Sequence, residues 1–315
     1  MDYRTLGNSS LKVSVVGLGT WALGDDFWGA VDDNDSIKAI HAAIDVGINL
    51  IDTAPAYGAG HSEEVVGKAI RDRRDKVVLA TKVGVLRTKE SFMRNLKPES
   101  VRREVDDSLR RLGTDFIDLW QIHWPDAGTP LEDTIGEIDR IREQGKIRYL
   151  GVSNFDVELI ERARALTEVV SLQPHYSLLE RTIEKELLPY CADRKIGILG
   201  YGTLAGGLLT GKFKEIPKFQ EGDHRDDFYH FFKEPVFGRV QKLLGVLGDV
   251  AHERGKSVAQ VAINWAISQR GMTSALVGAK SPTQAQQNAV AGEFTLTAAE
   301  LAQIERGYRE AGLAG

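Results

Sequence analysis

Short apolar runs alternate along the chain with segments whose apolar residues recur at helical spacing. The runs lie near residues 14–18, 48–52, 77–82, 116–122, 147–152, 169–172, 196–200 and 274–278. Runs of this length predict strands, and the segments between them predict helices. Strands apolar enough to be buried on both faces, alternating with helices, indicate an α/β fold, and we expect a (β/α)8 TIM barrel. An open doubly wound sheet is the alternative.

The pattern also predicts additions to the eight repeats. Tyr3–Thr5 and Lys12–Val13 indicate an N-terminal hairpin that closes the bottom of the barrel. The long loop after the seventh strand, residues 211–235, is polar and aromatic, and we interpret it as a lid over cofactor or substrate. Extra helices are predicted near 236–254, 257–270, from Pro282 onward and over 297–311. We see no linker and expect a single barrel domain over residues 1–315.

Composition narrows the possible partners. The 315 residues are 42% hydrophobic and 27% charged, as in folded domains. A net charge of −5 gives no field suited to nucleic acid or an anionic membrane surface, so we expect neither partner. A single cysteine, Cys191, excludes an internal disulfide. The sequence shows no signal-peptide pattern and no membrane-length apolar run, so we expect a cytoplasmic protein, monomeric by default.

Polar side chains stand at the carboxyl ends of neighbouring predicted strands, which a β/α barrel gathers at one mouth. They include Asp52 with Tyr57 shortly after it, Lys82 and His123. An ammonium group beside Tyr57 would lower the pKa of its phenol, and Asp52 would keep Lys82 protonated. Because His123 adds a donor for a carbonyl oxygen, the four predict a proton donor that polarises a carbonyl.

Further groups predict where a hydride donor binds. Ser153, Asn154 and Gln173 end the next two strands, and their hydroxyl and amide groups suit a carboxamide such as that of nicotinamide. Tyr201 offers a face on which an aromatic ring can stack. Near the last strand, the segment Gly278–Ser281 precedes a helix whose N-terminus suits a phosphate.

Three other motifs each suggest a different kind of site, but none of them is well supported. GLGTWA, Gly17–Ala22, fits a loose dinucleotide fingerprint, but a loop follows it where a helix is required. GGLLTGKF carries Phe213 where a phosphate loop needs a Ser or Thr to bind magnesium, so we reject a nucleotide triphosphatase. A metal could be ligated in the lid, but we interpret these side chains as solvated and expect no metal; they are His224, Asp226, Asp227 and His230.

The same segments resemble the aldo-keto reductases along essentially the whole chain, in particular a bacterial branch with a long loop after the seventh strand. DTAPAYG, ATK and QIHWPD match the family's catalytic segments, and GVSNF and LQPHYS match its carboxamide-binding segments. YGTLAGGLLTGK and EGDHR resemble segments that cover the cofactor, and VGAKSPTQAQQN resembles the adenosine-phosphate segment. These segments follow one another in the family's order, which makes the resemblance specific.

The resemblance implies roles for individual residues. Catalysis falls to Asp52, Tyr57, Lys82 and His123. Cofactor contacts fall to Ser153, Asn154, Gln173, Tyr201, Gly202, Thr203, Leu204, Gly206, Lys212, Arg225, Gly278, Lys280, Ser281, Gln284 and Asn288. The implied cofactor is NADPH/NADP+, with NADH less favoured, and Lys280 keeps a cation where many relatives carry arginine. The implied reaction is reversible hydride transfer to an aldehyde or ketone, with Tyr57 as general acid and base.

Substrate choice is predicted to lie in the loops. Trp21 and Trp124 are expected to wall an apolar cleft, with Phe27 or Trp28 nearby. Aromatic walls with few charges favour a neutral aldehyde, ketone, diketone or open-chain sugar as the small-molecule carbonyl substrate. Two other functions stay open: a catalytically weak member of the fold that senses NADPH, and an aldolase that uses Lys82 as a Schiff base.

Overall fold

The computed structural model describes residues 1–24, 27–29, 31–87 and 91–314. Its strands are β1 (Tyr3–Thr5), β2 (Lys12–Ser14), β3 (Val16–Gly19), β4 (Leu50–Asp52), β5 (Val78–Val83), β6 (Val85–Arg87), β7 (Phe92–Arg94), β8 (Ile117–Ile122), β9 (Ile147–Ser153), β10 (Ser171–Gln173), β11 (Gly197–Gly200) and β12 (Met272–Gly278). Strands β3, β4, β5, β8, β9, β10, β11 and β12 pair in parallel in that order and close on themselves. The predicted (β/α)8 barrel is confirmed, since an open sheet would leave two edge strands.

The helices alternate with the barrel strands and surround them. They are α1 (Asp33–Asp45), α2 (His61–Ile70), α3 (Pro98–Leu112), α4 (Leu131–Glu143), α5 (Val157–Leu166), α6 (Leu187–Arg194), α7 (Arg225–Phe228), α8 (Val236–Arg254), α9 (Val258–Ile267), α10 (Pro282–Ala289) and α11 (Ala298–Glu310). Helices α8 to α11 stand where the pattern predicts them, although α9 ends three residues early, whereas the short α7 lies in the segment predicted as a loop. In the described ranges, no helix has the length and apolarity needed to cross a membrane.

The barrel has an apolar floor and a polar upper layer. Strands β1 and β2 form the predicted antiparallel hairpin, and its side chains Leu6, Leu11 and Val13 pack with residues of the barrel interior such as Leu119 and Leu199. These contacts close the bottom of the barrel as expected. The catalytic candidates therefore lie at the opposite end, above the floor, where the strands finish in polar side chains.

A hairpin at the barrel mouth is not in the prediction. Strands β6 and β7 form an antiparallel hairpin directly after β5, with Val85 paired to Arg94. This hairpin extends the barrel mouth between β5 and α3, and part of it borders the cavity described below. Each strand is three residues long and shows no clear alternation of polar and apolar residues. The pattern therefore gave no signal from which it could be found.

Candidate active site

Asp52, Lys82 and Tyr57 form one hydrogen-bonded chain at the barrel mouth. Lys82 Nζ donates to Asp52 Oδ1 at 2.6 Å, to the Thr53 carbonyl at 3.0 Å and to Tyr57 Oη at 3.2 Å. Asp52 ends β4 and Lys82 lies near the end of β5, so the barrel register places them side by side. Tyr57 begins a short 3₁₀ turn after β4 that returns its ring toward this pair. The three predicted residues are thus brought together.

The second oxygen of Asp52 is held by two amides. Gln121 Nε2 donates to Asp52 Oδ2 at 3.0 Å, and Gln173 Nε2 donates to the same oxygen at 2.8 Å and to Gln121 Oε1 at 3.1 Å. The sequence interpretation missed Gln121 and gave the Gln173 amide to a cofactor carboxamide. In the structure the Gln173 nitrogen is engaged with the protein, and only its Oε1 is without a donor among the described residues. The available signal was a glutamine inside the apolar strand β8, two residues before His123.

Burial and neighbouring charges fix the protonation states of this group. Burial raises the pKa of Tyr57 above its ordinary value of 10.0, and the opposing effect of Lys82 does not compensate. Lys82 thus acts to lower the Tyr57 pKa as expected, but burial outweighs this effect and the net shift is upward. Burial acts to lower the pKa of Lys82, but the charge of Asp52 and the hydrogen bonds to Asp52 and Tyr57 raise it on balance. A lysine held as an ammonium is unsuited to forming a Schiff base, which disfavours the aldolase interpretation.

His123 lies directly after β8 and lines the cavity described below. Its ring stands edge-on to that of Tyr57, with 6.1 Å between the centroids. Burial, together with the charge of Lys82, holds the His123 pKa well below its ordinary value. The imidazole is therefore neutral near pH 7, so one ring nitrogen can donate a hydrogen bond without adding charge.

A cavity of about 390 Å³ opens above these groups. Trp21 and Trp124 both line it, as predicted, and so does Phe27, whereas Trp28 does not. The other lining residues are Ala56, Tyr57, Val85, Phe92, Arg94, His123, Ser153, Asn154, Gln173, Tyr201 and Phe228. Phe92 and Arg94 come from the unpredicted hairpin. The volume falls in the range usual for small-molecule sites.

The polar side chains proposed to hold a carboxamide form a network on one wall of this cavity. Ser153 Oγ donates to the Gln173 carbonyl at 2.7 Å, and Asn154 Nδ2 donates to Ser153 Oγ at 3.0 Å. Asn154 Oδ1 accepts from Tyr201 Oη at 3.0 Å. The ring of His175 stacks nearly parallel on that of Tyr201, with 5.1 Å between the centroids, so one face of Tyr201 is covered.

The segment after β11 is shaped by close contacts. Gly202 and Gly206 have positive φ, and a Cβ on Gly206 would meet the Tyr229 ring at 2.8 Å. Thr203 is buried, and its hydroxyl lies 3.2 Å from two backbone carbonyls that share its one hydrogen, so it serves the fold in this structure. Leu204 packs against the main hydrophobic core as a partly buried side chain. Lys212, beyond the turn, lies over the ring of Phe213 at 4.6 Å.

The segment around α10 is also internally bonded. Ser281 Oγ caps α10 by accepting from the backbone N–H of Gln284. The side-chain Oε1 of Gln284 accepts from the backbone N–H of Lys280 at 2.8 Å. Asn288 Nδ2 donates to the Gly278 carbonyl at 3.2 Å. Lys280 Nζ donates to the Trp28 carbonyl at 2.6 Å. A phosphate bound here would have to compete with that carbonyl for the lysine.

The predicted lid packs onto the loop that follows β3. Trp28 and Asp223 form an isolated antiparallel bridge, and the His224 amide donates to the Phe27 carbonyl at 3.0 Å. Arg225 donates to Asp223 and, at 3.2 Å, to the Gly206 carbonyl. Within the lid, α7 carries Phe228 into the cavity wall. These contacts join the segment around Asp223–Arg225 to the loop after β3 and to the turn after β11.

The lid histidines do not form a ligand cluster. His224 Nδ1 lies 3.3 Å from Asp227 Oδ2, and both side chains are more than half exposed. The described part of the chain contains no group of three or more His, Cys, Asp or Glu side chains arranged to hold a metal ion.

Comparisons with known proteins agree with this geometry. The profile of the Aldo/keto reductase family matches residues 15–309. The aldo-keto reductase YhdN of Bacillus subtilis is 44% identical, over 90% of this chain and 86% of its own length. The NADH-specific methylglyoxal reductase of Escherichia coli is 35% identical, over 94% of both chains.

A solved structure extends the match to three dimensions. The glycerol dehydrogenase AKR11B4 of Gluconobacter oxydans superposes with a TM-score of 0.92 at 38% identity, covering 100% of this chain and 97% of its own. Three findings agree: the closed barrel, the buried Asp–Lys–Tyr chain beside a histidine, and the family match over nearly the whole length. The chain belongs to the aldo/keto reductase family of oxidoreductases.

Proposed function

We propose that the protein is an NADP(H)-dependent reductase that reversibly transfers a hydride between nicotinamide and an aldehyde or ketone. The observation that carries this proposal is the 3.2 Å contact from Lys82 Nζ to Tyr57 Oη, in a cavity that His123 also lines. It combines a protonated phenol, a cation that stabilises the phenolate and a neutral donor. These three groups suit protonation of a carbonyl oxygen as negative charge develops on it during reduction.

The chemistry of the residues follows from their protonation states. A bound nicotinamide supplies or accepts the hydride. In reduction, Tyr57 gives its phenolic proton to the carbonyl oxygen as the carbonyl carbon gains the hydride and the C=O π bond breaks. Lys82 stabilises the phenolate that remains, and Asp52 keeps the ammonium in place. His123 donates a hydrogen bond to the same oxygen, and all roles reverse in alcohol oxidation.

The residues on the cavity wall fit a nicotinamide carboxamide in part. Gln173 Oε1 can accept from its amino group, and the Ser153–Asn154 network can rearrange toward its oxygen. Lys280 at the start of α10 supplies the cation that suits a 2′-phosphate. Because the E. coli relative is named NADH-specific, the choice of NADPH has to be tested directly.

The test is the loss of NADPH absorbance with a panel of aldehydes, ketones and diketones, run in parallel with NADH. We expect turnover with a carbonyl substrate and a higher kcat/KM for NADPH. Tight NADPH binding without turnover across the panel would contradict the reductase and support the NADPH-sensing alternative. A higher kcat/KM for NADH would support the proposed reaction but contradict the preference for NADPH.

A Lys280→Met variant tests the assignment of the phosphate contact. If Lys280 binds the 2′-phosphate, the KM for NADPH should rise by roughly tenfold while that for NADH changes little, because NADH lacks this group. Initial-rate kinetics with both cofactors separate this effect from any loss of the Lys280–Trp28 contact, which would affect both equally.

A further inference from the structure

The hairpin β6–β7 brings an arginine to the substrate cavity. Arg94 ends β7 and, with Val85 and Phe92, lines the cavity on the side of His123 and Trp124. Its guanidinium lies over the Trp124 ring, 4.9 Å from the centroid. Stacking on this ring fixes the position of the group while its edges stay free to donate.

Arg94 gives the cavity its charge. Of the described residues that line the cavity, Arg94 is the only one with a formal charge near pH 7, since His123 is neutral. Behind Tyr57, the charges of Lys82 and Asp52 offset each other.

The guanidinium itself has spare donors. Its hydrogen bond among the described residues is one from Nη1 to the Pro125 carbonyl at 3.4 Å, and within those residues no carboxylate pairs with it. An arginine has five N–H donors in a planar fork. Most of them are therefore left for a ligand.

A guanidinium placed this way selects for a planar or tetrahedral anion. Its fork matches carboxylate and phosphate oxygens in two-pronged geometry. The cavity of about 390 Å³ must hold the nicotinamide together with the substrate, so the substrate is short. Arg94, His123 and Tyr57 line the same cavity, so one short substrate can place its anion at Arg94 and its carbonyl oxygen at His123 and Tyr57.

We propose that the cavity takes short carbonyl compounds that carry a carboxylate or phosphate group, with Arg94 binding the anion. This rests on the proposed reductase function and narrows its substrates. The neutral carbonyls expected from the aromatic walls would still be reduced, but less efficiently than their anionic counterparts.

The experiment uses pairs of probes that differ in the anion. Succinic semialdehyde is compared with butanal, and glyceraldehyde 3-phosphate with glyceraldehyde, each with saturating NADPH and again with saturating NADH. Each is assayed with the wild-type enzyme, Arg94→Gln and Arg94→Lys. Arg87→Gln is the matched control, because Arg87 stacks on Phe92 in the same hairpin and is not among the described residues that line the cavity.

We expect the wild-type enzyme to favour at least one anionic member of a pair. Arg94→Gln should lower kcat/KM for that compound by roughly tenfold, chiefly through KM, because the guanidinium is exposed and its interaction is partly screened. The neutral partner should change less than about twofold, Arg94→Lys should retain part of the preference, and Arg87→Gln should behave as the wild type. Which pair shows the effect distinguishes carboxylate from phosphate.

Other results would overturn the proposal. Equal activity on the charged and neutral members of both pairs in the wild type would contradict it, as would an Arg94→Gln loss of the same size for both members. Absence of turnover with all four probes and both cofactors, given measurable turnover of other carbonyls, would also overturn it. No turnover of any carbonyl would instead contradict the reductase function itself.

Discussion

At the scale of single residues, the phenol of Tyr57 sets the pH dependence. Because burial raises its pKa above 10.0, Tyr57 stays protonated over the neutral range. For carbonyl reduction, kcat/KM should be flat from about pH 6 to 9, whereas for alcohol oxidation it should rise with pH throughout, since oxidation needs the phenolate. Initial rates in both directions check this. An oxidation profile that levels off near pH 7 would contradict the raised pKa.

Gln121 is expected to position Asp52 without touching the substrate. Gln121→Leu keeps the size of the side chain but removes a donor to Asp52 Oδ2 and the acceptor of Gln173 Nε2. Buried groups left without partners should lower the free energy of unfolding by about 1–3 kcal/mol. With Asp52 less firmly held, kcat should also fall. The pH at which kcat/KM changes on the alkaline side of its profile should shift as well. A loss of stability with an unchanged pH profile would assign Gln121 a structural role alone.

At the scale of elements, a buried carboxyl joins α3 to the end of β5. Glu104 accepts from the Gly84 amide and from Ser100 Oγ. Burial, only partly offset by these bonds, raises its pKa from 4.5 to about 7. The folded protein therefore binds more protons than the unfolded chain between these values. Stability contributed by protonated Glu104 is present below about pH 4.5 and is lost as the pH rises toward 7.

A Glu104→Gln variant tests this linkage. The neutral amide keeps the shape and an acceptor for Gly84 without the cost of burying a charge. Its free energy of unfolding should exceed that of the wild type by on the order of 2–3 kcal/mol at pH 8, and the difference should shrink toward pH 5. Chemical denaturation at both pH values gives the comparison. A difference that does not depend on pH would show that Glu104 does not titrate in this window.

The N-terminal hairpin is expected to stabilise the barrel without serving the site. Leu6 is fully buried in the barrel floor. Leu6→Ala should lower the free energy of unfolding by about 2–5 kcal/mol through lost burial and a cavity, while kcat stays unchanged. Leu166→Ala is the control, because that leucine is 42% exposed and should cost little. Equal effects of the two substitutions would mean that the hairpin does not close the floor.

At the scale of the whole molecule, the barrel was predictable because each strand is a short apolar run and several have a polar side chain at or next to their carboxyl end. Residues Asp52, Lys82 and His123 follow directly from that rule. Gln121 was not found, because a glutamine inside a strand acquires its role only from the register that faces it to Asp52. Arg94 was missed because the hairpin that carries it has no periodic signal. The net direction of the Tyr57 pKa shift could not be predicted, since the sequence reveals its charged neighbours but not the depth of its burial.

The central claim is that Tyr57 donates the proton in hydride transfer, and the most direct test is the Tyr57→Phe variant. We expect kcat to fall by a factor on the order of 10²–10⁴ while the dissociation constant for NADPH, measured by fluorescence titration, stays close to that of the wild type. Tyr176→Phe is the matched control, because this buried phenol donates to Glu184 away from the cavity. Turnover in Tyr57→Phe comparable to that of Tyr176→Phe would contradict the account.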